Sequence, residues 1–497
     1  MVPPTDTSTN ESSCASGPSS SRPNLEEMKL SDAWLPATTA VIGVVLIAVW
    51  LAMGRASDLV LRVPGLDAAQ GNAAANAVDV EPPVAGEPTV GEGKPSSVEG
   101  SWVCFRGADR DGISRDSTPL SRKWPESGPP VMWTLPMGEG YAAPVIDQGR
   151  AFVLDYDEEA QADTMLCLSL DDGREIWRNS YPIEITRNHG MSRTVAALVE
   201  DLVISIGPRC HVACWKADSG ECVWLIDMVQ QFGAIVPRWY TGQCPLIDGE
   251  TLVLAPCGKD LMVAVNYRTG EVVWKTPNTA QWEMTHASIV PMQLGDRKSY
   301  VYCASGGVVG VAADDGSLLW ENRSWTTQFA TAPSPVVLPE QQLLLSSGYG
   351  SKVGAMLMQL RPDGDEWAAE VLAELPPAQF NSEQQTPILY NGHLYGIRKK
   401  GGGKIVCMDL KGNEIWNSGK DRFGHGPYMI ADGVILSLSD RGLLAMAEAT
   451  HEGYRPLAQF QVFDGGHDAW GPMALVGGLL IVRDLTRMSC LDLRAKD

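Results

Sequence analysis

The fold is decided by CLSLDDGREIW, residues 167–177, because the same phrase returns along the chain. It reappears as CWKADSGECVW ending at Trp224, VAVNYRTGEVVW at Trp274, GVAADDGSLLW at Trp320, MLMQLRPDGDEW at Trp367 and IVCMDLKGNEIW at Trp416. Alternating apolar residues make a half-buried strand, and Asp-Gly or Thr-Gly supplies a turn residue that tolerates positive φ, so each phrase predicts a hairpin whose outer strand ends on Trp. A second phrase precedes each hairpin, as in PVIDQGRAFVLD from Pro144, PLIDGETLVLA from Pro245, PILYNGHLYGI from Pro387 and YMIADGVILSLS from Tyr428. Two hairpins make one four-stranded antiparallel blade.

Counting leading phrases gives blades starting near Pro144, Ala196, Pro245, Ser288, Pro335, Pro387, Pro427 and Pro472. A repeat of about 46 residues in eight copies predicts an all-β, eight-bladed β-propeller over residues 129–493. The seventh copy has lost its turn and Trp, and the eighth stops at SCLDL, one strand short. VMWTL, residues 131–135, matches an outer strand and has no hairpin before it. Joining it to the last segment closes the ring and removes an open sheet edge that would invite aggregation.

Residues 35–53, LPATTAVIGVVLIAVWLAM, carry no charge. As a helix they extend about 28 Å, which predicts a single transmembrane helix over 35–54. Residues 1–34 and 55–100 are rich in Ser, Pro, Ala, Gly and acidic residues, and are expected to form a disordered tail and linker. A lead-in segment, residues 101–128, follows. Arg22 and Lys29 on one side of the helix are balanced by Arg55 and Arg62 on the other, so charge sets no orientation.

The chain has 60 acidic and 39 basic residues, a net charge of −21, which excludes nucleic acid as a partner. Eleven Cys include no Cys-x-x-Cys pair. Cys167, Cys214, Cys407 and Cys490 recur at equivalent places in the repeat and read as core residues. No metal site is expected. Gly401-Gly402-Gly403, after Arg398, Lys399 and Lys400, lies between two strands and reads as a hairpin turn.

The strand, turn and Trp phrase resembles the PQQ-like (pyrroloquinoline quinone) repeat, whose Trp and Gly dock neighbouring blades in a girdle. SWVCFRGADRDGIS, residues 101–114, resembles the segment preceding such repeats in bacterial anchored or secreted proteins. That likeness implies an extracytoplasmic propeller on a single-pass membrane anchor. Within the family, quinoprotein alcohol dehydrogenases use an adjacent Cys-Cys disulfide, Ca²⁺ ligands and an Asp base. No Cys-Cys pair occurs here, and no motif carries the other groups. The chain is closer in type to the cofactor-free, eight-bladed scaffold of the outer-membrane barrel assembly machinery. The resemblance therefore implies a scaffold with protein partners, no cofactor and no catalytic residue. The alternative is a divergent quinone- or metal-dependent oxidoreductase working in the channel.

Segments joining one blade to the next meet around the channel of a propeller, and here they carry the candidate ligand or partner contacts: Arg187, His189 and Arg193; Arg238, with Trp239 and Tyr240; Trp282, Glu283 and His286; Gln328; Glu383 and Gln384; His425; His467, Asp468 and Trp470. Four His beside carboxylates suit a metal or acid–base role, and aromatics beside Arg suit an anionic or sugar-like ligand. Polar residues also line such channels simply to meet water.

Overall fold

The computed structural model describes residues 34–53, 83–326, 329–350, 352–364 and 366–495. The chain forms two compact units, Met1–Arg62 and Val63–Asp497. In the first, helix α1 (Trp34–Met53) covers the predicted span. Among the described residues no helix is long and apolar enough to cross a membrane, so the helix is present but a membrane crossing is not shown. The expected tail before residue 34 and the linker over 54–82 lie outside the described residues.

The second unit carries eight four-stranded antiparallel blades. Blade 1 runs from Val145–Asp147 through Glu175–Pro182, and blade 7 from Tyr428–Ala431 through Pro456–Gln461. Blade 8 joins Ala474–Val476, Leu479–Arg483 and Arg487–Asp492 to Val131–Pro136, the strand that the sequence places before the first blade. Val131 pairs with Leu491, and Trp133 with Cys490. The short first strand of blade 1 touches those of blades 2 and 8, which closes the ring.

The repeated Trp residues dock blade to blade. The indole Nε1 of Trp133 donates to the Leu170 carbonyl, Trp177 to Ala217, Trp224 to Tyr267, Trp274 to Ala313 and Trp416 to Thr450, each in the next blade's outer turn. Gly220 shows why the turn needs glycine: its φ is +77°, and a Cβ there would lie 2.4 Å from the Trp177 ring. Two of the expected phrases depart from this register. Trp320 Nε1 has no partner among the described residues. Trp367 sits opposite Pro362, beside the hairpin turn of the long strands Ala355–Asp363 and Glu366–Leu375. Lengthening that hairpin carries Trp367 away from the next blade, and Leu375 packs against Gly412 in its place. In blade 7, which lacks the Trp, Phe460 packs against Gly128.

Residues 83–100, expected to continue the linker, are ordered. Thr89–Val90 forms a fifth strand on the edge of blade 1, pairing with Arg178 and Trp177. Gly91 and Gly93 donate backbone N–H groups to Ile176 and Glu175. A Cβ at Gly93 would lie 2.4 Å from the Arg174 carbonyl. A glycine-rich, weakly apolar segment cannot build a core, but it can satisfy an open strand edge through its backbone, and here glycine permits the approach.

All ten described cysteines are free, and all but Cys222 are buried. Burial also governs Asp163, which lies in blade 1 against Tyr181, His211 and Gly207. Its carboxylate oxygens have no hydrogen-bond partner of good geometry among the described residues. Burial pushes its carboxyl up to about 7, against smaller opposing effects of Tyr181 and His211. A carboxyl raised in the folded state stabilises below its unfolded pKa and loses that contribution as pH rises toward 7. Asp163→Asn is therefore expected to be more stable than wild type at pH 8, by on the order of 3 kcal/mol, with the difference disappearing below about pH 4. Denaturant melts at the two pH values check this; equal stability at pH 8 contradicts it.

Candidate functional site

The antiparallel order of each blade puts two sets of loops on one face: the connections between blades, and the loops between second and third strands. A collar of rings from both sets surrounds the channel mouth. Tyr141, before blade 1, stacks on Trp470, before blade 8, with centroids 5.1 Å apart. Trp470 meets His425 at 5.4 Å, and His425 stacks on Tyr349 at 6.0 Å. Tyr349 meets Trp239 at 5.5 Å, and Trp239 lies 6.2 Å from His286 and 6.4 Å from His189. Arg193 covers the Tyr141 ring, its guanidinium carbon 5.5 Å from the centroid. The enclosed cavity has a volume of about 270 Å³.

Local structure holds each ring. Helix α2 (Met228–Phe232) has Asp227 as its N-cap, accepting from the Val229 and Gln230 N–H groups, and ends on left-handed Gly233. Beyond it Trp239 and Tyr240 both have positive φ, 65° and 68°, and the Tyr240 hydroxyl donates to the Thr186 carbonyl at 2.5 Å. Two consecutive left-handed bulky residues cost of order 1–3 kcal/mol each, the kind of strain that collects at binding sites. Asp440 Oδ1, in a loop of blade 7, accepts from the His425 backbone N–H at 2.6 Å and from Trp470 Nε1 at 2.8 Å, so one carboxylate positions two collar members.

The lead-in segment closes the channel from the opposite side. Trp102 pairs with Ile146 on the first strand of blade 1, Leu198 of blade 2 donates to the Val103 carbonyl, and Ile113 bridges to Ile430 of blade 7. Between them Arg106 donates to the carbonyls of Thr386, Pro387, Asp111 and Arg110. Phe105, held by this thread, forms part of the cavity lining.

Burial pushes the Arg193 guanidinium down to about 10, so it stays charged at neutral pH. Burial, with a smaller effect of Arg193, pushes His286 down to about 4, so its imidazole is neutral there. Its stabilising contribution is complete above its unfolded pKa near 6.5 and is lost as pH falls through 4, opposite in sign to Asp163 over the shared range. Glu383 is raised by burial, but hydrogen bonds from His425 and Lys399 outweigh this and hold its carboxyl below the usual range.

Of the residues expected on this face, His189, Arg193, His286, His425, Trp470, Trp239 and Gln384 line the cavity. Glu383 stands behind His425, accepting from its Nε2 at 2.6 Å. The others lie elsewhere. Arg187 pairs with Glu139 on the exposed rim, and Arg238 lies over Phe329. Trp282 is buried against Gly306 and Gly307, and Glu283 is exposed. His467 is exposed beside Asp468, 3.6 Å away. Gln328 lies outside the described residues. The four His do not meet around one point. Among the described residues no group of three His, Cys, Asp or Glu side chains could hold a metal ion.

Tyr141, Tyr349 and Phe105 are the further aromatic residues of the lining, and none was a candidate from the sequence. Tyr349 could have been found by treating the loops between second and third strands as part of the same face.

A model of the PQQ-like repeat family, described as outer membrane protein assembly factor BamB, matches residues 161–417, just over half of the chain. The chain belongs to this family. Among solved structures, BamB from Moraxella catarrhalis is similar at 9% identity, covering 73% of this chain and 99% of that one with a TM-score of 0.49. A europium-containing methanol dehydrogenase is similar at 13% identity, covering 77% and 89%, with a TM-score of 0.41. The C-terminal WD40 domain of Sif2 is similar at 10% identity, covering 74% and 99%, with a TM-score of 0.46. No curated protein matches the chain.

Proposed function

We propose that this PQQ-like repeat protein is a scaffold that holds a partner protein at its channel mouth, tethered to a membrane by α1 with the propeller outside the cytoplasm. The observation that carries the reading is the collar: Tyr, Trp and Arg side chains, the residue types that dominate binding energy at protein interfaces, are arranged around a cavity that the chain's own lead-in closes from behind. A closed floor suits capture of an inserted group better than passage through the channel.

A divergent quinone- or metal-dependent oxidoreductase is the second reading, favoured by a cavity lined with aromatic rings. Its residues do not fit the quinone site that the family resemblance implies. The chain has no adjacent Cys pair, and the described residues offer no three-ligand metal group.

Photocrosslinking tests the scaffold in the full chain. A photoreactive residue at Gln384, on the collar, is expected to capture a discrete partner in membranes. The same residue at Glu250, on the opposite face, is expected to capture none, and Trp470→Ala is expected to reduce capture at Gln384 at least tenfold. Equal capture from both faces overturns the reading. Deleting 34–53 is expected to release the propeller from the membrane fraction; retention there contradicts the anchor.

A further inference from the structure

Four collar side chains keep hydrogen-bonding capacity that the protein does not use, and all four line one cavity. Tyr141 Oη, Arg193 Nε, Trp239 Nε1 and both ring nitrogens of His286 are buried and have no hydrogen-bond partner among the described residues. The carbonyls of Arg238 and Tyr240 face the His286 ring without hydrogen-bond geometry. Tyr141 is only 7% exposed, so solvent at the rim does not serve its hydroxyl. A buried polar group without a partner costs about 1–3 kcal/mol, and several around one space form a cost that a matching ligand removes.

The chemistry of these groups selects the ligand. An indole N–H and a guanidinium N–H only donate, and a phenol and a neutral imidazole can each donate as well. A ligand that presents acceptors satisfies the indole, the guanidinium, the phenol and the protonated nitrogen of the imidazole, whose other nitrogen is itself an acceptor and is left aside. Arg193 is the one Arg, Lys, Asp or Glu among the described residues lining the cavity. The nearby carboxylates are occupied: Glu383 by Lys399 and His425, and Asp440 by the His425 N–H and Trp470 Nε1. Rings around a cavity would otherwise suit a cation, but a buried positive charge on Tyr141 opposes one and favours an anion. The rest of the lining sets apolar Phe105, Ala330 and Ala332 beside polar but uncharged Ser288 and Gln384.

We infer that the cavity takes a carboxylate carried on a flat apolar group, with Arg193, Trp239, Tyr141 and His286 serving the oxygens and the collar rings stacking on the apolar part. The inference rests on the mouth being the binding face. The same chemistry belongs to the carboxyl terminus of a polypeptide ending in an aromatic residue and to a free aromatic acid.

The test uses the full chain in detergent and follows tryptophan fluorescence and calorimetry with 3-phenylpropionate, its amide, and a hexapeptide ending in Phe with a free or amidated carboxyl. At least one acid is expected to bind tenfold or more tightly than its amide. Arg193→Gln is expected to erase that preference. Because Arg193 also donates to the Gly190 carbonyl at 2.7 Å and supports its own turn, Trp239→Phe serves as a second variant. It keeps a ring and removes one donor, and a severalfold loss for the acid with no change for the amide is expected. Binding of the peptide acid alone identifies a chain terminus as the source, and binding of phenylpropionate alone a free acid. Acid and amide binding alike overturns the inference, as does binding of neither. If crosslinking at Gln384 persists in that case, the scaffold reading stands without the carboxylate; if acid binding persists while crosslinking fails, the scaffold reading falls alone.

Discussion

Trp133→Ala is expected to destabilise the propeller by about 3–5 kcal/mol, the range for removing a buried aromatic side chain. Three losses coincide at this position. The side chain is 7% exposed and packs over Gly173, where a Cβ would lie 2.9 Å from its ring. Its Nε1 donates to the Leu170 carbonyl, which is left without that donor. Its strand is also the only one of blade 8 supplied from the other end of the repeat, so weakening it weakens the seam that closes the ring. Trp133→Phe keeps most of the apolar contact and loses the hydrogen bond, so a smaller cost, about 1–2 kcal/mol, is expected. Chemical denaturation checks both, and hydrogen exchange at Met488–Cys490, opposite this strand, locates the effect. If Trp133→Ala unfolds at the wild-type denaturant concentration, the closing strand does not carry the ring.

The repeat made this seam legible. Blade number and the split last blade follow from counting phrases, because each phrase reports a hairpin that packs the same way. The count fails where packing is replaced rather than repeated. Trp367 looks like its relatives in sequence, but two extra-long strands move it beside its own turn, and Leu375 takes the docking position. Local pattern reports that a hairpin exists; its length decides which residue reaches the neighbour.

The same division runs through the site. His189, Arg193, His286, His425 and Trp470 could be located because the connections between blades share one face. Trp282 and His467 lie in such connections too, yet one is buried against Gly306 and Gly307 of the blade it leads into and the other stays on the exposed rim. Connection membership fixes the face, while the backbone of each loop fixes direction, as the positive φ at Trp239 and Tyr240 shows. Phe105 was beyond reach because its place depends on a segment closing the channel whose partners are some 280 residues away, at Thr386 and Pro387.

Arg106 holds that thread, and Arg106→Ala is expected to cost about 3 kcal/mol, since four carbonyls lose a charged donor at once. Burial pushes the Arg106 guanidinium down, so the charge is held at a desolvation cost that only its ring of acceptors offsets. Arg106→Lys is expected to rescue little, because an ammonium cannot spread over acceptors from the lead-in and from the start of blade 6 as the planar fork does. The consequence extends beyond stability. Gly112 donates to the Arg106 carbonyl and Ile430 to the Gly112 carbonyl, so a loosened Arg106 frees both the turn and its attachment to blade 7. Phe105 then no longer closes the cavity floor, and binding at the mouth is expected to weaken although no collar residue has changed. Limited proteolysis is expected to cut Arg106→Ala within 101–114 while the blades remain intact, with loss of crosslinking at Gln384. Faster cleavage with undiminished crosslinking would separate the thread from the site and make Phe105 a filler of the channel, not part of what the mouth recognises.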